Sequence, residues 1–148
     1  MTEYTHSYRG GCQCGAVRMV YRCHDALSAQ VARSCQCEFC LPRSASYLSD
    51  AKGELEVQVK DPRYLYAHRF GTNTADFIHC VVCNTEVYVT SDIDGRRYGL
   101  VRSAALDDCE APCECDEISH GGESLGQRLL RRAQSWIPDV RLVQVHAD

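Results

Sequence analysis

The chain has 148 residues, of which 45% are hydrophobic, and 16 Lys and Arg against 20 Asp and Glu give a formal net charge of −4. This length suits one core, so we predict that residues 1–148 form a single domain. No block of basic residues could follow a phosphate backbone, which argues against nucleic acid as a ligand. No apolar run reaches the ~18 residues of a membrane span or has the form of a signal peptide, so we expect no membrane partner and a cytoplasmic protein.

Most of the chain alternates apolar and polar residues as β-strands do. The predicted strands lie at Val17, Met19 and Tyr21; at Leu55, Val57 and Val59; at residues 64–70; at Phe77 and Ile78; at Val87 and Val89; at residues 97–101; and at residues 140–145. An Asp-Gly pair in the turn at residues 92–95 predicts that the flanking strands form a hairpin.

One segment near the end of the chain has helical spacing instead. Five apolar residues fit one face of a helix that Pro138 would end: Leu125, Leu129, Leu130, Ala133 and Trp136. Taken together, the patterns predict a mainly β fold with a short C-terminal helix.

Seven of the eleven cysteines fall into three clusters, Cys12-x-Cys14, Cys35-x-Cys37-x2-Cys40 and Cys80-x2-Cys83. In an intracellular chain this density favours metal binding over disulfides. Four thiolates saturate a tetrahedral zinc ion, whereas three leave one position open for water or a substrate. The two cysteine pairs together supply four ligands, and the remaining cluster supplies three. The spacing therefore predicts two zinc ions per chain, one that stabilises the fold and one that could be catalytic.

The order and context of these clusters resemble the glutathione-dependent formaldehyde-activating enzyme family, which includes centromere protein V. The resemblance covers roughly residues 8–108 and rests on the three clusters, on Gly10 and Gly11 before the first, on His79 before the third and on Leu106-Asp107-Asp108. It implies a zinc-stapled, Mss4-like β-sheet fold, followed by a divergent, cysteine-rich tail at residues 109–148. It also implies a structural zinc on Cys12, Cys14, Cys80 and Cys83 and a catalytic zinc on Cys35, Cys37 and Cys40.

The family implies reversible formation or cleavage of the carbon–sulfur bond of an S-hydroxymethyl thiol. We therefore expect a zinc-dependent carbon–sulfur lyase or related thiol-adduct enzyme whose substrate is a small thiol or its adduct. The reaction needs a proton shuttle, and His79 and His68 are candidates by residue type. The family commonly has a pair of arginines shortly after the third cysteine of the catalytic cluster. One arginine remains near this place in the chain, Arg43, and it is a further candidate. Because Leu41 and Pro42 cannot pair with carboxylates, the sequence argues against glutathione as the preferred thiol.

Four further cysteines leave a second hypothesis open. Cys23, Cys109, Cys113 or Cys115 could supply a fourth ligand to the Cys35 cluster and close its zinc. The protein would then be a non-catalytic zinc-binding structural or protein-interaction module. A third metal on the last three of these cysteines is also conceivable, but we interpret residues 109–117 as an acidic loop with spare thiols. The coordination number of the second zinc distinguishes the enzyme from the module.

Overall fold

The computed structural model describes residues 4–25, 31–35, 46–69, 75–107, 114–118 and 124–145, with side chains described outside 31–35, 46 and 114–118. These residues form eleven β-strands in two sheets and one α-helix near the C-terminus. The prediction of a mainly β fold with a short C-terminal helix is confirmed. Among the described residues, no helix has both the length and the apolar character needed to cross a membrane.

The smaller sheet has four strands among the described residues. Their order is β1 (His6–Gly11), β2 (Val17–Cys23), β5 (Glu54–Val59) and β11 (Asp139–Gln144). The first three are antiparallel neighbours, and β11 runs parallel to β5. Alternate residues of β2 and β5 are buried, as their apolar pattern predicted, and Met19 pairs with Val57 between them. One face of this sheet therefore supplies half of the core.

The larger sheet has seven strands among the described residues. Their order is β10 (Glu114–Ile118), β3 (Val31–Cys35), β4 (Ser46–Leu48), β9 (Arg96–Arg102), β8 (Glu86–Ile93), β7 (Asp76–Cys80) and β6 (Leu65–His68). The predicted hairpin is confirmed, because Asp94 and Gly95 join β8 to β9 with φ angles of 51° and 80°. Positive φ at both positions is what a two-residue hairpin turn requires. Neighbouring strands are antiparallel from β3 through β4, β9 and β8 to β7. Strands β3 and β7 therefore run in the same direction, and their C-terminal ends lie at the same end of the sheet.

The middle of the larger sheet is covered on both faces. Its inner face, with Ile78, Tyr88 and Val101, packs against the smaller sheet in the main core. Its outer face forms a second apolar cluster that includes Tyr47, Val89 and Trp136. Because both faces are covered, β8 is buried from Glu86 through Ser91.

Helix α1 (Leu125–Ser135) begins at a capping box, in which Ser124 and Gln127 exchange side-chain and backbone hydrogen bonds. The predicted apolar face is only partly correct. Leu130 is 59% exposed, whereas Arg132 is 7% exposed. Arg132 can be buried because its guanidinium donates to Ser91 Oγ at 3.2 Å and lies 5.1 Å from the Trp136 ring centroid.

Two other segments differ from the sequence prediction. A 3₁₀ turn, Pro62–Tyr64, precedes β6, so that strand begins one residue later than expected, and Phe70 lies outside the described residues. The second segment is Glu114–Ile118, which we interpreted as part of an acidic loop and which instead pairs in parallel with β3 as β10. That interpretation was wrong because backbone hydrogen bonds to a neighbouring strand do not depend on apolar side chains.

Candidate metal centre

Two turns, one from each sheet, bring four cysteine sulfurs together. Cys12 and Cys14 lie between β1 and β2, Cys80 is the last residue of β7, and Cys83 lies between β7 and β8. The four Sγ atoms all lie within 4.8 Å of one another, with 3.5 Å between those of Cys12 and Cys14 and 3.6 Å between those of Cys14 and Cys80. Four sulfurs on a tetrahedral zinc are about 3.8 Å apart, since Zn–S bonds are about 2.3 Å long. The cluster could therefore hold a metal ion of this kind.

The β1–β2 turn orients the first pair through its backbone. The amide of Cys12 donates to Val17 O at 3.0 Å, and the amide of Val17 donates to Cys12 Sγ at 3.3 Å. Gly15, with a φ of 82°, reverses the chain between them. Hydrogen bonds from amides to thiolate sulfur are the usual means of orienting a metal-binding cysteine.

The β7–β8 turn is a tight knuckle. The amide of Cys80 donates to Thr85 O at 2.9 Å, and the amide of Asn84 donates to Cys80 O at 2.8 Å. Asn84 has a φ of 58°, a left-handed conformation that asparagine tolerates better than most residues. Cys83 Sγ lies 3.1 Å from the hydroxyl of Thr85. The knuckle therefore fixes both cysteines and gives one of them a polar neighbour.

The four thiols have unequal acidities. Burial raises the pKa of Cys80 to about 12. At Cys83 burial also raises the pKa, but hydrogen bonds, first from the Thr85 hydroxyl and then from backbone amides, outweigh it and lower the pKa to about 5. One member of the cluster is thus already a thiolate at neutral pH and would offer a metal ion its first ligand.

The second predicted zinc site falls largely outside the described residues. Strand β3 ends at Cys35, whose side chain is not described. Cys37, Cys40 and Arg43 lie in the undescribed segment 36–45. The structure therefore tests neither the catalytic zinc nor the role of Arg43, and both stay predictions.

The two candidate histidines lie on neighbouring strands of the larger sheet. His79, on β7, precedes Cys80 and lies edge-on to Tyr66, with 6.3 Å between the ring centroids. His68, on β6, pairs with Phe77 and is partly exposed. Both histidines thus lie in the larger sheet, and His79 is on the strand that leads into the knuckle. Their catalytic role stays a prediction.

Of the candidate fourth ligands, Cys23 has a described side chain. It is fully buried at the end of β2, and its thiol donates to Asp25 O at 3.3 Å. Cys115 lies in β10 with its side chain outside the described residues, and Cys109 and Cys113 lie in the undescribed segment 108–113. The buried position of Cys23 makes it part of the core.

Sequence reasoning missed three polar residues around these sites. Thr85 contacts Cys83, while Tyr47 and Glu86 hydrogen-bond to each other inside the larger sheet. The sequence held no signal for the burial of Glu86, because it stands where the alternation of Val87 and Val89 places a polar residue. A signal was present for Thr85, which stands two residues after a cysteine, within reach of its sulfur.

Comparison with known proteins gives a structural likeness. No protein-family model matches the chain, and no curated protein matches it. A Rhodobacter sphaeroides protein, whose crystal structure was determined as a structural genomics target, is 27% identical to this chain. The match has a TM-score of 0.51 and covers 68% of this chain and 88% of that one. The likeness supports the β architecture over about two thirds of the molecule.

Proposed function

We propose that the protein is a zinc-dependent carbon–sulfur lyase, or a related thiol-adduct enzyme, of the glutathione-dependent formaldehyde-activating type. The observation that supports this is the convergence of Cys12, Cys14, Cys80 and Cys83, which supplies a complete set of four sulfur ligands. Cys35, Cys37 and Cys40 are then left as a separate cluster of three. Three protein ligands are typical of a catalytic zinc and four of a structural one.

The residues fit these roles chemically. A zinc ion on the three-cysteine cluster would have an open position and would hold a thiol substrate as its thiolate. Cys35 is the last residue of β3, so the backbone of the first cysteine of this cluster is held in the larger sheet. We propose a small thiol or its hydroxymethyl adduct as substrate and a cytoplasmic location. Glutathione is disfavoured because Leu41 and Pro42 offer its carboxylates no cation.

A non-catalytic interaction module is the second candidate, and one observation favours it. Three large apolar side chains are exposed at the knuckle and the strand beside it: Tyr66 at 54%, Val81 at 58% and Val82 at 64%. The amide of Val81 donates to Tyr64 O at 2.8 Å, which fixes the knuckle against the segment that leads into β6. An ordered apolar surface of this kind suits contact with another protein.

Titration of the cobalt-substituted protein with thiols distinguishes the enzyme from the module. We expect cysteine, a neutral thiol and glutathione each to change the thiolate-to-cobalt absorption, because a three-cysteine site has room for a fourth sulfur. We also expect glutathione to bind no more tightly than the other two. NMR exchange between formaldehyde and the thiol adduct, measured on the zinc protein, tests the reaction itself.

The Cys40→Ser variant is the matched control, since it should keep the metal of the four-cysteine cluster while losing the thiol-dependent change. If no thiol alters the wild-type spectrum, the second metal site has no open coordination position, and the hypothesis of a non-catalytic interaction module is the correct one. A preference for glutathione of about 100-fold, near 2.7 kcal/mol, would contradict our inference about its carboxylates.

A further inference from the structure

The four cysteines of the metal centre differ in their access to solvent. Cys12 and Cys80 are 4% and 0% exposed and Cys83 is partly buried, whereas Cys14 is exposed. The residues on either side of Cys14 in the β1–β2 turn are exposed as well. A small oxidant in solution can therefore reach one sulfur of the centre directly, and access of this kind helps to decide which cysteine of a protein is oxidised first.

Two other sulfurs lie close enough to react with an oxidised Cys14. Its Sγ is 3.5 Å from that of Cys12 and 3.6 Å from that of Cys80. The S–S bond of a disulfide is about 2.05 Å long, so either pair needs a shift of only about 1.5 Å. The choice between the two partners depends on their surroundings.

The surroundings of Cys12 make it the weaker partner. One residue separates Cys12 from Cys14, so a disulfide between them would close a short ring that distorts the preferred disulfide geometry. The amide of Val17 also donates to Cys12 Sγ at 3.3 Å, which holds this sulfur in place. Cys80, by contrast, ends β7 in the opposite sheet and lies across from the turn. A disulfide from Cys14 to Cys80 would join two separate segments without closing such a ring.

The turn that carries Cys14 has room to make this shift. A Cβ atom placed on Gly15 would have no atom of the described fold within 4 Å apart from its chain neighbours. The amide of Gln13 donates to Thr85 Oγ at 3.5 Å, so the turn already contacts the segment that ends the knuckle. The movement required is thus that of an exposed turn towards a cysteine fixed in the larger sheet.

We propose that Cys14 is a site of oxidation by hydrogen peroxide and that Cys80 completes the reaction by forming a disulfide with it. This inference goes beyond the proposed lyase activity and does not depend on it. The Cys14 thiolate attacks one peroxide oxygen, the O–O bond breaks, and Cys14 becomes a sulfenic acid as hydroxide leaves. The Cys80 thiolate then attacks the Cys14 sulfur, and a second hydroxide leaves. Two thiolates thus lose two electrons to form one disulfide, and the peroxide is reduced to two hydroxide ions.

Oxidation would replace one link between the two sheets by another. Cys12 and Cys83 alone cannot complete a tetrahedral set of ligands, so a zinc ion held by the cluster would leave. The disulfide would still close the loop from residue 14 to residue 80, and closing a long loop restricts the unfolded chain. We therefore expect the oxidised protein to stay folded without this zinc, whereas removal of zinc by a chelator under reducing conditions should unfold it.

Labelling with dimedone, which reacts with sulfenic acids, locates the first oxidation. After treatment of the zinc-loaded protein with equimolar hydrogen peroxide, we expect Cys14 to carry at least about 10-fold more label than the other three cysteines of the cluster. Cys23 is the internal control, because its buried thiol donates to Asp25 O and should stay unlabelled. Faster labelling of another cysteine of the cluster would overturn the assignment to Cys14.

A disulfide map identifies the partner. Cleavage after arginine places the first cysteine pair in a peptide of residues 10–18 and the second in a peptide of residues 70–96. After oxidation without dimedone, we expect these two peptides to be joined, with fragmentation assigning the link to Cys14 and Cys80. The Cys23→Ala protein is the matched control and should form the same link. A disulfide within residues 10–18, or one that uses Cys83, would overturn the proposed pair.

Circular dichroism and zinc analysis test the consequence for folding. The oxidised protein should contain less zinc and keep the β-sheet spectrum of the zinc-loaded protein, and reduction with dithiothreitol in the presence of zinc should restore the original zinc content. Loss of the spectrum on oxidation would show that the disulfide does not replace the metal, and it would overturn this proposal. A protein that shows all the expected changes but does not exchange formaldehyde would overturn the lyase alone.

Discussion

The pKa values of two cysteines in one knuckle are shifted in opposite directions, and the local surroundings of each thiol cause the difference. Cys80 is completely buried, which disfavours its thiolate and raises its pKa to about 12. Cys83 is partly exposed and lies 3.1 Å from the Thr85 hydroxyl, and hydrogen bonds from Thr85 and nearby amides lower its pKa to about 5. A metal ion that enters the cluster therefore meets one thiolate and must displace protons from other ligands.

Zinc binding to this cluster should consequently release protons and become tighter as pH rises. Cys80 is protonated at neutral pH. At Cys14 the hydrogen bond from the Ala16 amide lowers the pKa, but desolvation and the neighbouring Cys12 and Cys83 thiols outweigh it, so the pKa is raised. Each proton released makes affinity about 10-fold higher per pH unit, so we expect at least a 100-fold gain from pH 6 to 7. Competition with a zinc chelator at several pH values measures this gain, and a pH-independent affinity would contradict the unequal acidities.

At the scale of elements, the knuckle between β7 and β8 depends on one left-handed residue. Asn84, with a φ of 58°, lets the chain turn back so that its amide reaches Cys80 O. Glycine adopts this conformation most easily and asparagine at little cost, whereas a β-branched residue is strained there. The spacing of Cys80 and Cys83 therefore relies on the residue that follows them.

Replacing Asn84 tests this dependence. Asn84→Val should destabilise the zinc-loaded protein by about 1–2 kcal/mol, because its side chain opposes a positive φ. Asn84→Gly is the control and should change the free energy of unfolding by less than about 1 kcal/mol. Urea unfolding of both variants gives the values, and equal losses would mean that the asparagine side chain, not its backbone conformation, is what matters.

At the scale of the whole molecule, the cluster of four cysteines brings together turns from the two sheets. Cys14 lies in the turn between β1 and β2 of the smaller sheet, and Cys80 ends β7 of the larger sheet. They are 66 residues apart, yet their sulfurs lie 3.6 Å from each other. A link that closes a long loop restricts the unfolded chain more than a local one does. The cluster Cys35-x-Cys37-x2-Cys40 spans only six residues, so a metal there would restrict far less.

The two clusters should therefore differ in their effect on folding. Cys83→Ser should lose one zinc and most of the folded, soluble protein, because structural zinc contributes on the order of 10 kcal/mol in small zinc modules. Cys35→Ser should stay folded and keep the first zinc. Metal analysis and thermal unfolding monitored by circular dichroism measure both effects. A well-folded Cys83→Ser protein without zinc would rule out a structural role for this centre.

Much of this protein could be predicted from short-range patterns. The alternation in β2 and β5 and the Asp-Gly hairpin are signals whose partners lie a few residues away, and these predictions hold. The tail was harder, because Arg132 is buried through partners from other elements while Leu130 is exposed. Local spacing predicted which face of α1 was apolar but not which face would find a partner.

Only the tertiary structure decided which turns meet and which polar groups become neighbours. Cysteine spacing allowed several groupings, and the packing of two sheets places the knuckle against the β1–β2 turn. Glu86 and Tyr47, 39 residues apart, meet because β9 lies between their strands and sets their register. Strand order and register arise from the packing of the whole core, so residue spacing in the sequence cannot specify them, whereas it does specify the local turns that hold each pair of cysteines.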